Sequence, residues 1–184
     1  MTQLIIAARV TMAILLGAVA GAGSPPPVVF EAGFENGLRA PWGTGQTFGH
    51  DLAWWNSGGC GSLAEPDWHV RRNGKYSLMI KNPNPRGPEV FGTTQQPVKF
   101  QKGHRYKIEA WALGRSLASK GAVSLVVDED WKVRPIQLPA GTYDWTRFTG
   151  EFTWPGGEGQ CRIVSEDVGQ VWLDDIKIID LGAE

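Results

Sequence analysis

The chain has 184 residues and a formal net charge of −1, a length that suits one domain with one substantial core. Its Lys and Arg side chains are scattered, with Arg71-Arg72 as the one doublet. Nothing in the charge pattern therefore favours nucleic acid or an anionic membrane surface as partner. With 24 Gly, 12 Pro and 9 Trp, and no helix-favouring blocks of Ala, Glu, Lys and Leu after residue 24, the composition excludes a helical bundle and points to short strands joined by turns, an all-β domain.

Residues 1–24 differ from the rest. Arg9 precedes the apolar run Val10 to Leu16, and small residues follow that offer cleavage at Ala18-Val19-Ala20 or Ala20-Gly21-Ala22. This reads as a secretory signal peptide, with an uncleaved anchor as the alternative suggested by Leu4-Ile5-Ile6 ahead of Arg9. The expected location is secreted, extracellular or periplasmic, with no membrane insertion of the mature domain. Pro25-Pro26-Pro27 forms a stiff spacer, and the domain proper covers 28–184.

Strands are predicted at Val28 to Phe34, Tyr76 to Lys81, Thr93 to Phe100, Arg105 to Leu113, Ala122 to Val127, Val133 to Leu138, Trp145 to Trp154, Arg162 to Ser165 and Val171 to Ile179. Turn residues separate them, among them Asn73-Gly74, Lys102-Gly103 and Gly156-Gly157-Glu158-Gly159. Such a series predicts a two-sheet antiparallel β-sandwich of the jelly-roll kind. Alternation then sorts the faces. Tyr106, Ile108, Ala110 and Ala112 point inward, whereas Lys107, Glu109 and Trp111 share the outer face; Phe148, Phe152 and Trp154 are core, opposite Trp145, Arg147, Thr149 and Glu151.

Trp54-Trp55 opens a Gly-, Ser- and Asn-rich segment that has no periodicity and reads as loop. Because the two rings are adjacent, at least one is expected to be exposed. Cys60 and Cys161 are the candidate disulfide of an exported domain, a closure of about 4–5 kcal/mol in the chain-entropy picture; two free buried thiols are the alternative. No Cys/His spacing of zinc type is present.

Five segments in order carry a resemblance. They are Phe34-Glu35-Asn36-Gly37 followed by Trp42; Asn73-Gly74-Lys75-Tyr76-Ser77-Leu78; Gly103-His104-Arg105-Tyr106-Lys107-Ile108-Glu109-Ala110-Trp111; Tyr143-Asp144-Trp145-Thr146-Arg147-Phe148; and Val171-Trp172-Leu173-Asp174-Asp175-Ile176. Over about residues 28–180 the chain resembles the carbohydrate-binding modules of families 4, 9 and 22, which have the galactose-binding-like jelly roll. The resemblance implies a noncatalytic module that binds a polysaccharide or oligosaccharide and works alongside a separately encoded glycan-active enzyme. It also implies a structural Ca²⁺, with Glu35 and Asp174 or Asp175 at the matching positions, since calcium takes six to eight oxygen ligands. Gly33 departs from the family here, where an oxygen-bearing side chain often stands.

Sugar recognition needs flat apolar rings against pyranose C–H faces, with amides, carboxylates or guanidinium groups for the hydroxyls. The candidate rings form a loop group, Trp54, Trp55 and Trp68 with Asp51, Asn56 and His69 nearby, and a sheet-face group, Trp111 and Trp131 with Glu109, Arg134 and Arg147. Trp42, Trp145 and Trp172 match family motif positions and are expected in structural roles. Two alternatives stand beside glycan binding. One is a structural or adhesion sandwich. The other is a jelly-roll lyase or hydrolase, but the chain lacks the E-x-D-x-x-E strand motif of a glucanase, and His50, His69 and His104 are not spaced with Arg and Tyr.

Overall fold

A computed structural model describes residues 25–38, 42–43 and 54–183; the signal-peptide reading of residues 1–24 and the candidates His50 and Asp51 lie outside them. Strands β1 (Val28–Ala32), β2 (Trp55–Ser57), β3 (Leu63–Asp67), β4 (Ser77–Asn82), β5 (Phe91–Pro97) and β6 (His104–Leu117) are followed by β7 (Val123–Asp128), β8 (Ile136–Gln137), β9 (Gly141–Thr153), β10 (Gly159–Ser165) and β11 (Gly169–Ala183). They pair antiparallel into two sheets, one ordered β3-β4-β11-β6-β9 with β1 also on β11, the other β2-β5-β10-β7-β8. This is the expected jelly-roll sandwich. Among the described residues no helix is long and apolar enough to cross a membrane.

The core lies between the sheets. Tyr106, Ile108, Ala110 and Ala112, each fully buried, project from β6 as alternation predicts. With Leu78, Ile80, Leu173 and Ile176 they face Val123, Leu125 and Val127 of β7 and Cys161 and Ile163 of β10. On β11 the inward parity changes midway, from Val171 and Leu173 to Ile176 and Ile178. A bulge takes up the extra residue: Asp175 has φ 47°, and the β6 register shifts between Asp174 and Lys177. The same point is a seam, because β11 pairs with β4 up to Leu173 and with β1 from Ile176 onward.

Two strands were not expected. β2 falls in the segment that reads as loop, and β3 contains Pro66 and lacks apolar alternation. Both are edge strands, held by one neighbour each, where such sequences are tolerated. Conversely, the strand predicted over Val133 to Leu138 contracts to Ile136–Gln137, confined between Pro135 and Pro139.

The disulfide expectation is overturned, since Cys60 and Cys161 are both free and buried. Cys161 pairs with Gln96 of β5, whereas Cys60 lies beyond the end of β2, where Ser57 pairs with Phe91. Five residues of strand separate those levels, about 17 Å, against the roughly 7 Å limit between bridged Cα atoms. Cys60 Sγ instead lies 3.7 Å from Asn82 Oδ1.

Candidate functional site

Register defines one unusual surface. On the five-stranded sheet, Cα partners across the ladder share a face, so Trp55, Thr93, Val164 and Ser124 fall in one row on the side away from the main core and Gln95, Arg162 and Val126 in the next. Thr93, Val164, Ser124 and Val126 are buried, and the larger side chains provide the exposed part. Phe91, paired with Ser57, continues the same face. The rings of Trp55 and Phe91 meet edge to face at 5.4 Å, those of Phe91 and Trp131 at 4.6 Å, and the Arg162 guanidinium lies 4.9 Å from the Trp131 centroid. The result is a row of three aromatic rings ending over a cation.

Trp131 reaches this face because Asp128 organises the turn that follows β7. Its carboxylate accepts from Lys132 N at 3.1 Å and Val133 N at 2.8 Å, and its carbonyl accepts from Gln160 Nε2 at 2.6 Å. Trp131 has φ 60°, a left-handed conformation costly for a bulky side chain. Arg134 donates to the Trp131 carbonyl and forms a two-pronged ion pair with Glu166, at 2.5 and 3.2 Å, a charged rim beside the ring.

Below the rings two polar atoms are unmatched. Among the described residues Arg162 Nε and Gln95 Oε1 are buried without a hydrogen-bond partner, while Arg162 Nη2 donates to Gln160 Oε1 at 3.3 Å. Burial pulls the Arg162 guanidinium below its ordinary pKa, opposed by the charges of Glu129 and Asp128. A buried donor and a buried acceptor left unpaired cost about 1–3 kcal/mol each, a cost that a ligand hydroxyl removes.

Trp54 and Trp55 diverge, as neighbours on a strand edge must. Trp55 is 38 % exposed, while Trp54 packs against the core and donates from Nε1 to Ser62 Oγ at 3.1 Å. Ser62 Oγ in turn donates to Asn56 Oδ1. Gly92 makes this possible: a Cβ there would stand 2.0 Å from Ser62 Oγ and 2.6 Å from the Trp54 ring.

The remaining candidates lie elsewhere, so both predicted groups are re-sorted. Trp111, Glu109 and Arg147 occupy the outer face of the six-stranded sheet, where Arg72 lies 3.7 Å over the Trp111 centroid and Lys107 pairs with Glu109. Trp68 lies just past β3 of that sheet, 60 % exposed, its ring against His69. Of the sequence candidates among the described residues, Trp55, Trp131 and Arg134 are the ones that meet at the aromatic face. Trp42 and Trp172 are buried, and Trp145 packs on a small outer cluster of Met79, Leu113 and Trp172, in keeping with structural roles. His104 begins β6, its Nδ1 3.0 Å from the Asp180 carboxylate.

The acids matched to a calcium site do not fit one. Glu35 accepts from Lys75 N at 2.8 Å, Asp174 accepts from the N–H groups of Arg72, Asn73 and Asp175, and Asp175 is ion-paired to Arg72. These carboxylates close the seam on β11 by capping the turn at residues 72–76. They face N–H dipoles and a guanidinium, where a cation would need oxygen ligands. Gly74 is required at this turn, with φ 60° and space for no Cβ beside Glu35. Among the described residues no group of three or more His, Cys, Asp or Glu is placed to hold a metal.

Four residues of the aromatic face escaped the sequence reading: Phe91, Gln95, Arg162 and Glu166. The signal was present in the parity of Phe91-x-Thr93-x-Gln95 and in Arg162 between the inward Cys161 and Ile163. It went unused because starting the strand at Thr93 removed Phe91 from the alternation.

The fold is thus a two-sheet antiparallel jelly-roll sandwich whose five-stranded sheet carries a row of aromatic rings. The chain is a member of the carbohydrate-binding domain family CBM_4_9, whose sequence model matches residues 27–166. Among solved structures it is similar to the CBM22-1 xylan-binding domain of Paenibacillus barcinonensis Xyn10C, with TM-score 0.57, 14 % identity, and coverage of 89 % of this chain and 100 % of that one. It is also similar to a family 16 carbohydrate-binding module, with TM-score 0.55, 16 % identity and coverage of 83 % and 99 %. The K1 cleaved adhesin domain of Lys-gingipain from Porphyromonas gingivalis W83 shares the fold as well, with TM-score 0.55, 13 % identity and coverage of 81 % and 96 %. At these identities the likeness is one of fold. A search of curated proteins finds no match.

Proposed function

We propose that this chain is a secreted, noncatalytic carbohydrate-binding module that takes a polysaccharide chain on the outer face of its five-stranded sheet. Trp55, Phe91 and Trp131 provide the apolar platform, and Arg162 and Gln95 bond sugar hydroxyls. The observation that carries the reading is the pair of buried atoms, Arg162 Nε and Gln95 Oε1, that have no hydrogen-bond partner among the described residues, beside the aromatic row. A hydroxyl both donates and accepts and can answer either atom. Each ring that covers a pyranose removes on the order of 80 Å² of apolar surface, about 2 kcal/mol before ordering costs. Two or three such contacts give micromolar to millimolar affinity, which suits a reversible anchor that holds a partner enzyme near its substrate.

Because one structural neighbour is a xylan-binding domain, xylan is the first probe, beside a mixed-linkage glucan and a galactan. Retardation in gels containing one of them, abolished by Trp131→Ala together with Arg162→Gln in a protein that melts normally, supports the assignment. No retardation by any neutral polysaccharide refutes it.

A further inference from the structure

A second site stands apart from the aromatic face. The turn that follows β3 borders an open cleft of about 330 Å³ lined by Trp68, Arg71, Gly74, Lys75 and Tyr76. Trp68 is the most exposed large hydrophobic side chain among the described residues, at 60 %. The backbone that carries it is nevertheless held in place. Asp67 Oδ1 accepts from His69 N at 2.7 Å and Val70 N at 3.2 Å, while Asp67 Oδ2 accepts from Trp172 Nε1 at 2.8 Å, which ties the turn to the sheet. The His69 ring lies 3.5 Å from the Trp68 ring, and Arg71 Nη1 donates to the Trp68 carbonyl. A large apolar ring exposed to water, on a turn whose backbone is tied to the sheet, is a surface prepared for a partner.

The charges beside it select the partner. Among the described residues the cleft's charged lining is a guanidinium and an ammonium, with the Glu35 carboxylate at its edge on the Lys75 N–H. Asp67 is committed to the turn and to Trp172, and Glu35 to Lys75 N and Tyr76 N. Among the described residues neither Arg71 nor Lys75 has an ion-pair partner. A neutral sugar on Trp68 would leave both cations unmatched. A pyranose carrying a carboxylate matches the whole set, its C–H face against the indole and its carboxylate against the guanidinium fork and the ammonium.

We propose that this cleft is a subsite for an acidic sugar, a uronate residue, distinct from the aromatic face of the five-stranded sheet. Exposed ion pairs contribute little individually, so the two cations together should favour a uronate over its neutral counterpart by about three- to tenfold at low ionic strength. Added salt should erode that preference.

The test uses the full chain and three probes of equal length: a glucuronate-capped oligosaccharide, its uncapped neutral parent and a sulfate-capped counterpart. The expected result is tightest binding of the glucuronate probe, with the preference abolished in the Arg71→Gln, Lys75→Gln double variant and binding at this site lost in Trp68→Ala. The double variant should melt like the wild type, since both side chains are exposed, and Arg71→Lys should keep part of the preference. Trp131→Ala should bind the glucuronate probe with its preference intact, which separates this cleft from the aromatic face. Equal affinity for the glucuronate and neutral probes overturns the proposal. So does binding of the sulfate probe as tightly as the glucuronate one, persistence of the preference in the double variant, or its loss in Trp131→Ala with Trp68→Ala unaffected.

Discussion

The guanidinium of Arg72 lies over the ring of Trp111, 3.7 Å from its centroid, and the same side chain is ion-paired to Asp175 while its backbone N–H donates to Asp174. One residue thus joins the outer face of β6 to the bulge of β11, at the seam where β11 exchanges β4 for β1. The positive charge at this seam is already supplied by the chain. Trp111, an apparent surface ring in the sequence, has a face occupied from within.

Arg72→Ala should therefore lower stability by about 1–2 kcal/mol, the sum of a solvent-accessible cation–π contact and a partly exposed ion pair. That corresponds to about 2–8 °C in Tm for a domain of this size. Arg72→Lys should recover only part, because an ammonium lacks the planar fork. Thermal denaturation checks both. The wild-type melt should be the same in excess calcium and excess chelator, and a calcium-dependent rise would show that the carboxylates at the seam rearrange to ligate the ion.

Trp131 separates binding from stability. Trp131→Ala should weaken binding of a neutral polysaccharide by about 1–2 kcal/mol, most of one ring's burial, without lowering Tm. Trp131→Gly should lose the same affinity and melt at or above the wild-type temperature, because it relieves the left-handed strain at this position. Paired affinity electrophoresis and calorimetry decide it; a strongly destabilised Trp131→Ala would place the ring in the core.

Trp172 should behave in the opposite way. It is 9 % exposed, packs on Met79 and Leu113, and bonds Asp67. Trp172→Ala should cost about 3–5 kcal/mol of stability through the cavity and the lost bond, measured by denaturant unfolding. The turn that carries Trp68 should loosen with it.

The two cysteines should both titrate as thiols in denaturant without reductant. In the native state Cys161 should resist thiol reagents, because burial pushes its thiol pKa up and excludes the reagent. Protein with no titratable thiol would restore the bridge.

Acid stability should depend on three aspartates. Burial acts to raise Asp67, Asp167 and Asp180, but N–H and O–H donors outweigh it and hold each below the usual carboxylate range. For Asp67 these are Trp172, His69 and Val70; for Asp167, Ser119, Val168 and Arg86; for Asp180, Gly182 and His104, with Tyr106 contributing. A folded pKa below the unfolded one gives stability that is complete above the unfolded value near 3.8 and lost as pH falls through the folded values. Asp174 runs the other way, its carboxyl raised chiefly by burial, so its own contribution improves on acidification. Unfolding free energy should therefore be flat with respect to Asp67, Asp167 and Asp180 from neutrality down to about pH 4 and fall below it. A decline beginning well above that value would assign acid sensitivity to other groups.

The sandwich was legible because its long strands obey alternation: Tyr106, Ile108, Ala110 and Ala112 announce their face without help. The edges were not, because β2 and β3 take their strand geometry from a neighbour rather than from their own residues. The site was half legible for a related reason. Trp55 and Trp131 stand out by size, but Phe91, Gln95 and Arg162 become a site only through register across three strands. Register is a property of pairing that local sequence does not encode. The separation of Trp111 from Trp131, on opposite outer faces, has the same origin.

The divergence of Trp54 and Trp55 ties recognition to folding. Trp54 is locked by Ser62 and by the space over Gly92, so the backbone that carries Trp55 is fixed before any ligand arrives. Much of the freedom that a flexible aromatic loop would surrender on contact has already been surrendered. Substitutions that never touch a sugar, such as Ser62→Ala or Gly92→Ala, should then appear in a binding assay as faster ligand release. Affinity at this edge would drift with the quality of packing beneath it, so selection for tighter binding can act on core positions as readily as on the exposed ring.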